Sequence, residues 1–383
     1  MNPSRITIIV LNWNLRDATL ACLASLERAQ LHGAHVLVVD NGSRDGSVDA
    51  IRARFPAVEV LALPENRGYA GGNNAGIRLA LERGAEGVLL LNNDTEVAPN
   101  FLPPLLAAMD SLPGTAVVSS SILRHDRPEL LDCAYADVRF DRRHVVQLVG
   151  VNAVVGDGFA GRLEVPIAIG CSVLIRAEAF RTAGLFDEGY FAYHEDVDWC
   201  LRAAKWGYRM LYEPESRVYH RRSASTGRPR PTYRSPPRPA EPALPNAEPA
   251  PWNPVRAYLG ARNTVRLLRA HATTREKRAF LAACVRELPL ELLAVVFGRE
   301  GWLVLGRWGW RDMLRDATAG RHAAGTARLA RLAWLPYDLL IATPRDLWRA
   351  WRSGALEQVG AVVRGLRDGY LRRPLPLERL GLR

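Results

Sequence analysis

The chain has 383 residues, is 48% hydrophobic and carries a formal net charge of +11. This length allows one large core and two or three domains, which excludes a disordered tail or a small stapled scaffold. The five cysteines are scattered without a CxxC and no stretch of about 18 apolar residues occurs, so free thiols in a reducing compartment and no membrane span are expected.

Met-Asn-Pro-Ser-Arg runs straight into an apolar β-branched run, Ile6–Leu11, so no signal peptide is expected. Leu15–Ala29 has helical spacing. Val36–Asp40 reads as a second strand, followed by an Asn41-Gly42-Ser43 turn and a helix near Ser47–Arg54. Val58–Leu63 is a third strand, Ala70–Arg83 a helix, and Gly87–Leu91 a fourth strand ending in Asn92-Asn93-Asp94. This alternation implies a parallel sheet covered by helices, with ligands at the carboxyl ends of its strands. Asn12, Asp40 and Asp94 fall at such ends. Shorter strands are expected between Ala116 and Ile175, then a helix over Glu195–Trp206 stopped by Gly207, with Asp198 and Arg202 paired at i,i+4. Arg209–Tyr212 and Arg217–Tyr219 read as two short strands, with His220 directly after.

Residues 223–251 contain nine prolines in 29 positions, a composition that cannot pack a core and reads as a loop or linker. The domain division expected is therefore 1–222 catalytic, 223–251 linker and 252–383 helical. Val255–His271 and Thr274–Phe297 are the first amphipathic helices of the last part, which also bears Trp302, Trp308, Trp310, Trp334, Trp348 and Trp351 among arginines. From 252 to 383 there are 24 Lys+Arg against 11 Asp+Glu; residues 1–251 carry 27 against 29. A basic rear half with aromatics fits either an anionic membrane surface or a solvated Arg-rich helical bundle. Nucleic acid is not expected, because no zinc or aromatic-interleaved motif accompanies the charge. The location expected is cytoplasmic, at most peripheral to the inner face of the membrane.

Five stretches could carry chemistry. Asp40, at a strand end, can accept hydrogen bonds from a base or ribose, or simply cap its turn. The glycines of 66–76, with Arg67, let backbone approach a phosphate, or pack a helix closely on a sheet. Asn92-Asn93-Asp94 offers oxygen ligands for Mg²⁺ or Mn²⁺, or is only a turn. Glu195 and Asp196, adjacent and pointing different ways, could include a general base, or cap a helix. His220 could complete a metal site.

Together these stretches resemble the inverting family 2 glycosyltransferases of GT-A fold, among them the bacterial rhamnosyltransferases and galactofuranosyltransferases. The resemblance rests on Val10-Leu11-Asn12-Trp13-Asn14, Val39-Asp40-Asn41-Gly42-Ser43, Asn66 to Asn73, Leu91-Asn92-Asn93-Asp94, and His194-Glu195-Asp196-Val197-Asp198 with a later His220. It covers residues 5–222, and Tyr258–His271 more loosely. It implies an α/β, Rossmann-like mixed sheet flanked by helices, with a C-terminal helical region. It further implies that Asn12 and Asp40 line the base pocket, that Arg67 and Asn73 lie near the donor diphosphate, and that Asn93 also binds the donor. Gly170 and Cys171 would border the donor sugar and the acceptor. Asp94 and His220 would hold Mg²⁺ or Mn²⁺, Asp196 would be the base, and Glu195 would stand beside it. Asn92 departs from the family's DxD by lacking the first carboxylate. The reaction implied is inverting transfer of a sugar, rhamnose from dTDP-rhamnose first and UDP-sugars behind it, to a glycan or polyprenyl-linked acceptor in cell-surface polysaccharide synthesis. Two alternatives stand beside it. A nucleotidyltransferase would want a glycine-rich loop with Lys near the first strand, which Val10–Arg16 lacks. A non-catalytic sugar-nucleotide-binding relative would be expected to lack Asp196 or Asp94.

Overall fold

The computed structural model describes residues 1–221, 254–284, 355–378 and 380–382. The Pro-rich stretch 223–251, the six tryptophans from Trp302 to Trp351 and the far half of the helix predicted over Thr274–Phe297 lie outside the described residues.

Four parallel strands, β1 (Ile6–Asn12), β2 (His35–Asp40), β3 (Glu59–Ala62) and β4 (Gly87–Asn92), line up as β3-β2-β1-β4. Helices α1 (Arg16–Glu27), α2 (Ser47–Arg54) and α3 (Gly68–Glu82) connect them. β1 and β4 are continuous apolar runs because both faces are covered. Ile8 and Val10 pack with Cys22, Leu23 and Leu26 of α1; Ile9 packs on the other side with Ala70 and Ile77 of α3. α3 lies close to the sheet: a Cβ on Gly72 would come 2.5 Å from Leu11 Cδ1, and one on Gly76 would come 2.8 Å from Val39 Cγ2. The glycines of this helix therefore serve packing as well as any ligand.

After a short strand β5 (Thr95–Val97) and helix α4 (Leu102–Ser111) the sheet becomes mixed. β6 (Thr115–Arg124) is followed by β7 (Leu131–Cys133), a hairpin of β8 (Tyr135–Val138) and β9 (Val146–Val149), and β10 (Leu163–Glu164). β11 (Ser172–Arg176) then inserts antiparallel between β4 and β6. Helices α5 (Ala177–Ala183) and α6 (Glu195–Lys205) lead into β12 (Arg209–His220), which runs parallel to β6 and antiparallel to β5. The two short strands expected at 209–212 and 217–219 are one strand, interrupted by a shift in register between Glu213 and Arg217. Pairing on β6 continues across that irregularity. All five cysteines are free thiols, four of them buried.

Helix α7 (Pro254–His271), a helix α8 over 274–284, and α9 (Ala355–Tyr370) belong to the basic region. α9 packs on α7 through Gly365 and Gly369: a Cβ on Gly365 would overlap the Tyr258 carbonyl, and one on Gly369 would come 2.7 Å from that of Arg262. Tyr258 donates its hydroxyl to Asp368 at 3.1 Å. Leu375, Leu377, Leu380 and Leu382 then join Tyr258, Leu259, Phe191 and Trp13 in one apolar cluster. Among the described residues no helix is long and apolar enough to cross a membrane.

Candidate active site

The carboxyl ends of β1, β2 and β4 converge as expected. Asn12 and Asp40 face each other in the β1–β2 register. Asn12 is fully buried; its Nδ2 donates to Asp40 Oδ1 at 2.7 Å and to Ser43 Oγ at 3.1 Å. Its Oδ1 accepts from Thr19 at 2.8 Å and from Asn93 at 3.1 Å. The amide of Asn12 is thus filled from inside the protein. Asp40 Oδ2 accepts from the Ser43 amide at 3.0 Å, and Ser43 Oγ in turn takes the Asn14 amide at 2.9 Å. Asn93 belongs to this network, hydrogen-bonded also to Thr19 Oγ1 at 2.9 Å.

Asn41 ties this corner to the next. It donates to Asn66 Oδ1 at 2.9 Å and to the Gly68 carbonyl at 3.0 Å, and accepts from the Arg67 amide at 2.9 Å. The Arg67 side chain is partly exposed and reaches Glu188 at 3.4 Å, which also takes Arg78 at 3.0 Å. Asn73 is buried and donates back to the Tyr69 carbonyl of its own helix at 3.0 Å.

Asp94 lies two residues past β4, and β12 delivers His220 beside it. His220 Nε2 is 3.3 Å from Asp94 Oδ1, and Nδ1 is 2.6 Å from Asp132 Oδ2. Burial opposes protonation of this imidazole, but its bonds to Asp132 and Asp94 raise it to about 9. With the imidazole deprotonated, Asp94 and His220 could together hold a cation, and Asp132 would aim the ring from behind as a carboxylate does for a metal-bound histidine. Among the described residues no group of three His, Cys, Asp or Glu forms a complete ligand set. The donor set present suits a hard divalent ion that also takes substrate phosphate oxygens.

Gly170 and Cys171 join the β4 end to the acidic pair. The Cys171 carbonyl accepts the Asn92 amide at 2.9 Å. The Gly170 amide donates to Asp196 Oδ2 at 3.1 Å, and its carbonyl accepts the Tyr69 hydroxyl at 2.6 Å. A Cβ on Gly170 would come 3.2 Å from both Asp196 Oδ2 and the Tyr69 hydroxyl, so this position demands a close backbone approach. Burial raises the Asp196 carboxyl above its ordinary value, opposed by the amides of Gly170 and Val197. Burial, with Asp196 adding to it, pushes Glu195 well above the ordinary range, and Glu195 Oε2 is buried without a hydrogen-bond partner. Asp198 is different. Burial works against its charge, yet His271 at 2.8 Å and Arg202 at 2.9 Å hold it below the ordinary value. The expected Asp198–Arg202 pair is present, and His271 of α7 joins it.

Several contributors were not singled out from sequence. Tyr69 stood inside a quoted motif, but nothing local marked its hydroxyl. Asp132 lies in a three-residue strand without a pattern. Arg262 and Asn263 sit on α7, far beyond Asp196 in the chain. Only contact in three dimensions reveals these partners.

An open mixed sheet flanked by helices, whose strand ends present an Asn–Asp pair, an Asp–His pair and a buried carboxylate at a helix start, has the architecture of GT-A glycosyltransferases. A family model described as "Glycosyl transferase family 2" matches residues 7–182. An N-acetylglucosaminyl-diphospho-decaprenol L-rhamnosyltransferase of Mycobacterium tuberculosis is 31% identical over 231 residues, covering 54% of this chain and 72% of that protein. The dTDP-rhamnosyl transferase RfbF of Shigella flexneri is 23% identical over 226 residues, covering 57% and 69%. A solved mannosyltransferase of Pyrobaculum calidifontis, in complex with GDP-Man and Mn²⁺, is 18% identical with a TM-score of 0.49, covering 95% of this chain and 87% of that one. The chain belongs to glycosyl transferase family 2.

Proposed function

We propose that this glycosyltransferase moves a sugar from a nucleotide diphosphate to an acceptor hydroxyl with inversion, Asp196 acting as the base. The observation that carries this reading is the Gly170-Cys171 turn, which bonds the end of β4 on one side and Asp196 on the other. It brings the base beside the corner where a diphosphate would rest. Asp196 accepts two backbone amides, from Gly170 at 3.1 Å and from Val197 at 2.8 Å. It also stands at the positive end of α6. Those contacts favour the ionised form a base needs, while burial raises its basicity. Asp196 takes the proton of the acceptor hydroxyl as that oxygen attacks the anomeric carbon from the face opposite the leaving diphosphate.

Glu195, whose burial favours its protonated form, would stand beside the acceptor hydroxyl. Asn12 sets Asp40 and Ser43 for the nucleoside, and the 66–70 backbone meets the phosphates. Asp94 and His220 would hold Mg²⁺ or Mn²⁺. Bound there, the ion would supply positive charge to offset what develops on the departing diphosphate.

The rhamnosyltransferase relatives make dTDP-rhamnose the first donor to try. The decaprenol-linked substrate in the name of one of them makes a polyprenyl-linked glycan the first acceptor, with cell-surface polysaccharide as its destination. The basic C-terminal region would then hold the enzyme on the cytoplasmic face of the membrane. The test is nucleotide diphosphate release from a panel of sugar nucleotides with Mg²⁺ or Mn²⁺, with and without lipid-linked acceptor. Wild type should turn over one donor. Asp196→Asn should keep nucleotide binding and lose about 10²–10⁴-fold in turnover. An Asp196→Asn enzyme that turned over normally would end the assignment of the base.

A further inference from the structure

The loop before α6 has an unusual backbone. Phe191 has a φ of 66°, and Tyr193 and His194 each have a φ of 72°. These values lie in the left-handed region that non-glycine residues rarely adopt. Three such residues within four positions carry a conformational cost on the order of 1–3 kcal/mol each and persist only if neighbours hold them there. The loop holds two parts of the site together. The Phe191 carbonyl accepts the Ala70 amide at 3.1 Å, at the start of α3, and a Cβ on Gly68 would lie 2.6 Å from the Phe191 ring. The His194 carbonyl accepts the Asp198 amide at 2.9 Å, so the same loop starts the helix that bears Asp196.

One side chain gathers several carbonyls of that loop. Asn263, fully buried on α7, directs its Nδ2 at the carbonyls of Tyr190 at 2.9 Å, Ala192 at 2.8 Å and Tyr193 at 2.8 Å. Its orientation is set by Arg262, whose Nη1 donates to Asn263 Oδ1 at 3.1 Å and to the Gly189 carbonyl at 2.9 Å. The amide can then only turn its N–H groups toward the loop. These residues lie beyond 7–182, the span matched by the family model.

We propose that Asn263, oriented by Arg262, is a positioning residue. By gathering three carbonyls of the left-handed loop it fixes Asp196 against the phosphate-facing start of α3. This inference rests on the proposed role of Asp196. Without the clamp the loop relaxes toward ordinary backbone, and base and donor lose their common frame. A displacement of this kind affects acceptor transfer most, because transfer needs the base placed on a bound hydroxyl. Slow hydrolysis by free water needs it less.

The experiment compares full-length wild type, Asn263→Ala and the milder Arg262→Lys. It measures acceptor transfer, donor hydrolysis and nucleotide affinity on the donor that wild type uses. The expected result for Asn263→Ala is a fall in kcat for transfer of about 10- to 100-fold, with nucleotide affinity within about twofold. The ratio of hydrolysis to transfer rises, and Arg262→Lys moves that ratio the same way by less. Partial unfolding would lower both rates together and leave the ratio fixed. An unchanged ratio in both variants, in an enzyme whose Asp196→Asn variant has lost transfer, overturns the positioning role alone. If Asn263→Ala does not fold, Arg262→Lys decides by the same ratio. A wild type that binds nucleotide sugars but neither transfers nor hydrolyses overturns the function proposed above, and this inference with it.

Discussion

Glu195 and Asp196 are neighbours in sequence and differ in what their oxygens touch. Asp196 has two backbone donors, whereas Glu195 Oε2 has none. Of the two, Glu195 is the one whose burial favours the protonated form more strongly. The sign of the consequence is fixed. Unfolded, Glu195 loses its proton in the ordinary carboxylate range; folded, it holds it to higher pH. The folded state therefore binds the extra proton, and stability declines as pH rises from that range through the raised folded value. Glu195→Gln should remove this decline: denaturant unfolding at several pH values should show the variant gaining on wild type as pH rises. It should also keep most turnover, since an amide still donates. With Asp196 as the proposed base, activity depends on pH through its carboxyl as well. Its carboxyl is raised above its ordinary value, so the acid limb of the kcat profile is expected to lie above that value, with activity lost as pH falls through it. At the other corner, Asp132→Asn should weaken Mn²⁺ binding by about 10–100-fold, read by calorimetry, by no longer aiming the His220 ring. An unaltered affinity would detach Asp132 from the ion.

At the scale of elements, Gly68 opens α3 with φ of 72°, and a Cβ added there would overlap the Phe191 ring. Gly68→Ala adds both strain and overlap, so a loss of about 1–3 kcal/mol is expected in thermal or urea unfolding. Donor binding should fall as α3 moves. What was legible beforehand follows the same physics. The parallel half was readable because β1, β2 and β4 are apolar runs between turn residues, and their ends named Asn12, Asp40 and Asp94 directly. Strand β12 was split in expectation because Glu213-Pro214-Glu215-Ser216 reads as a breaker, while the structure carries pairing across it as an irregularity. α4 and α5 were not anticipated. The former begins Leu102-Pro103-Pro104, which looks like a stop, although proline is tolerated in a first helical turn. The clamp on the 190–194 loop was invisible for a different reason. Asn263 has no local signature, and its three partners lie 70 to 73 residues earlier in the chain.

For the whole molecule, the basic region is more than an attachment. Gly365 and Gly369 seat α9 on α7, Arg269 donates to the Gly369 carbonyl at 2.7 Å, and α7 holds the loop before Asp196. Removing 300–383 deletes α9, so two losses are expected together: membrane association, measured by sedimentation with anionic vesicles, and transfer activity measured in detergent. Truncation alone therefore cannot separate docking from catalysis. Exchange of the exposed Arg364 and Arg372 for Gln leaves the α9–α7 contact in place. It should weaken vesicle binding by about 1 kcal/mol per residue while sparing transfer to a soluble acceptor. Vesicle binding that survived both the exchange and the truncation would exclude docking through this region.

The α7 clamp also has a consequence in time. A ribosome delivers the nucleotide-facing strands and the Asp196 helix before α7 exists. At about 5–20 residues per second, Asn263 follows Asp196 by roughly 3 to 13 s. During that interval the nascent sheet can close around its core with the 190–194 loop still unrestrained. Sugar-nucleotide capture is then expected to mature earlier in biosynthesis than transfer competence. Released chains ending near residue 240, which carry β12 but lack α7, should retain nucleotide on a filter and fail to glycosylate.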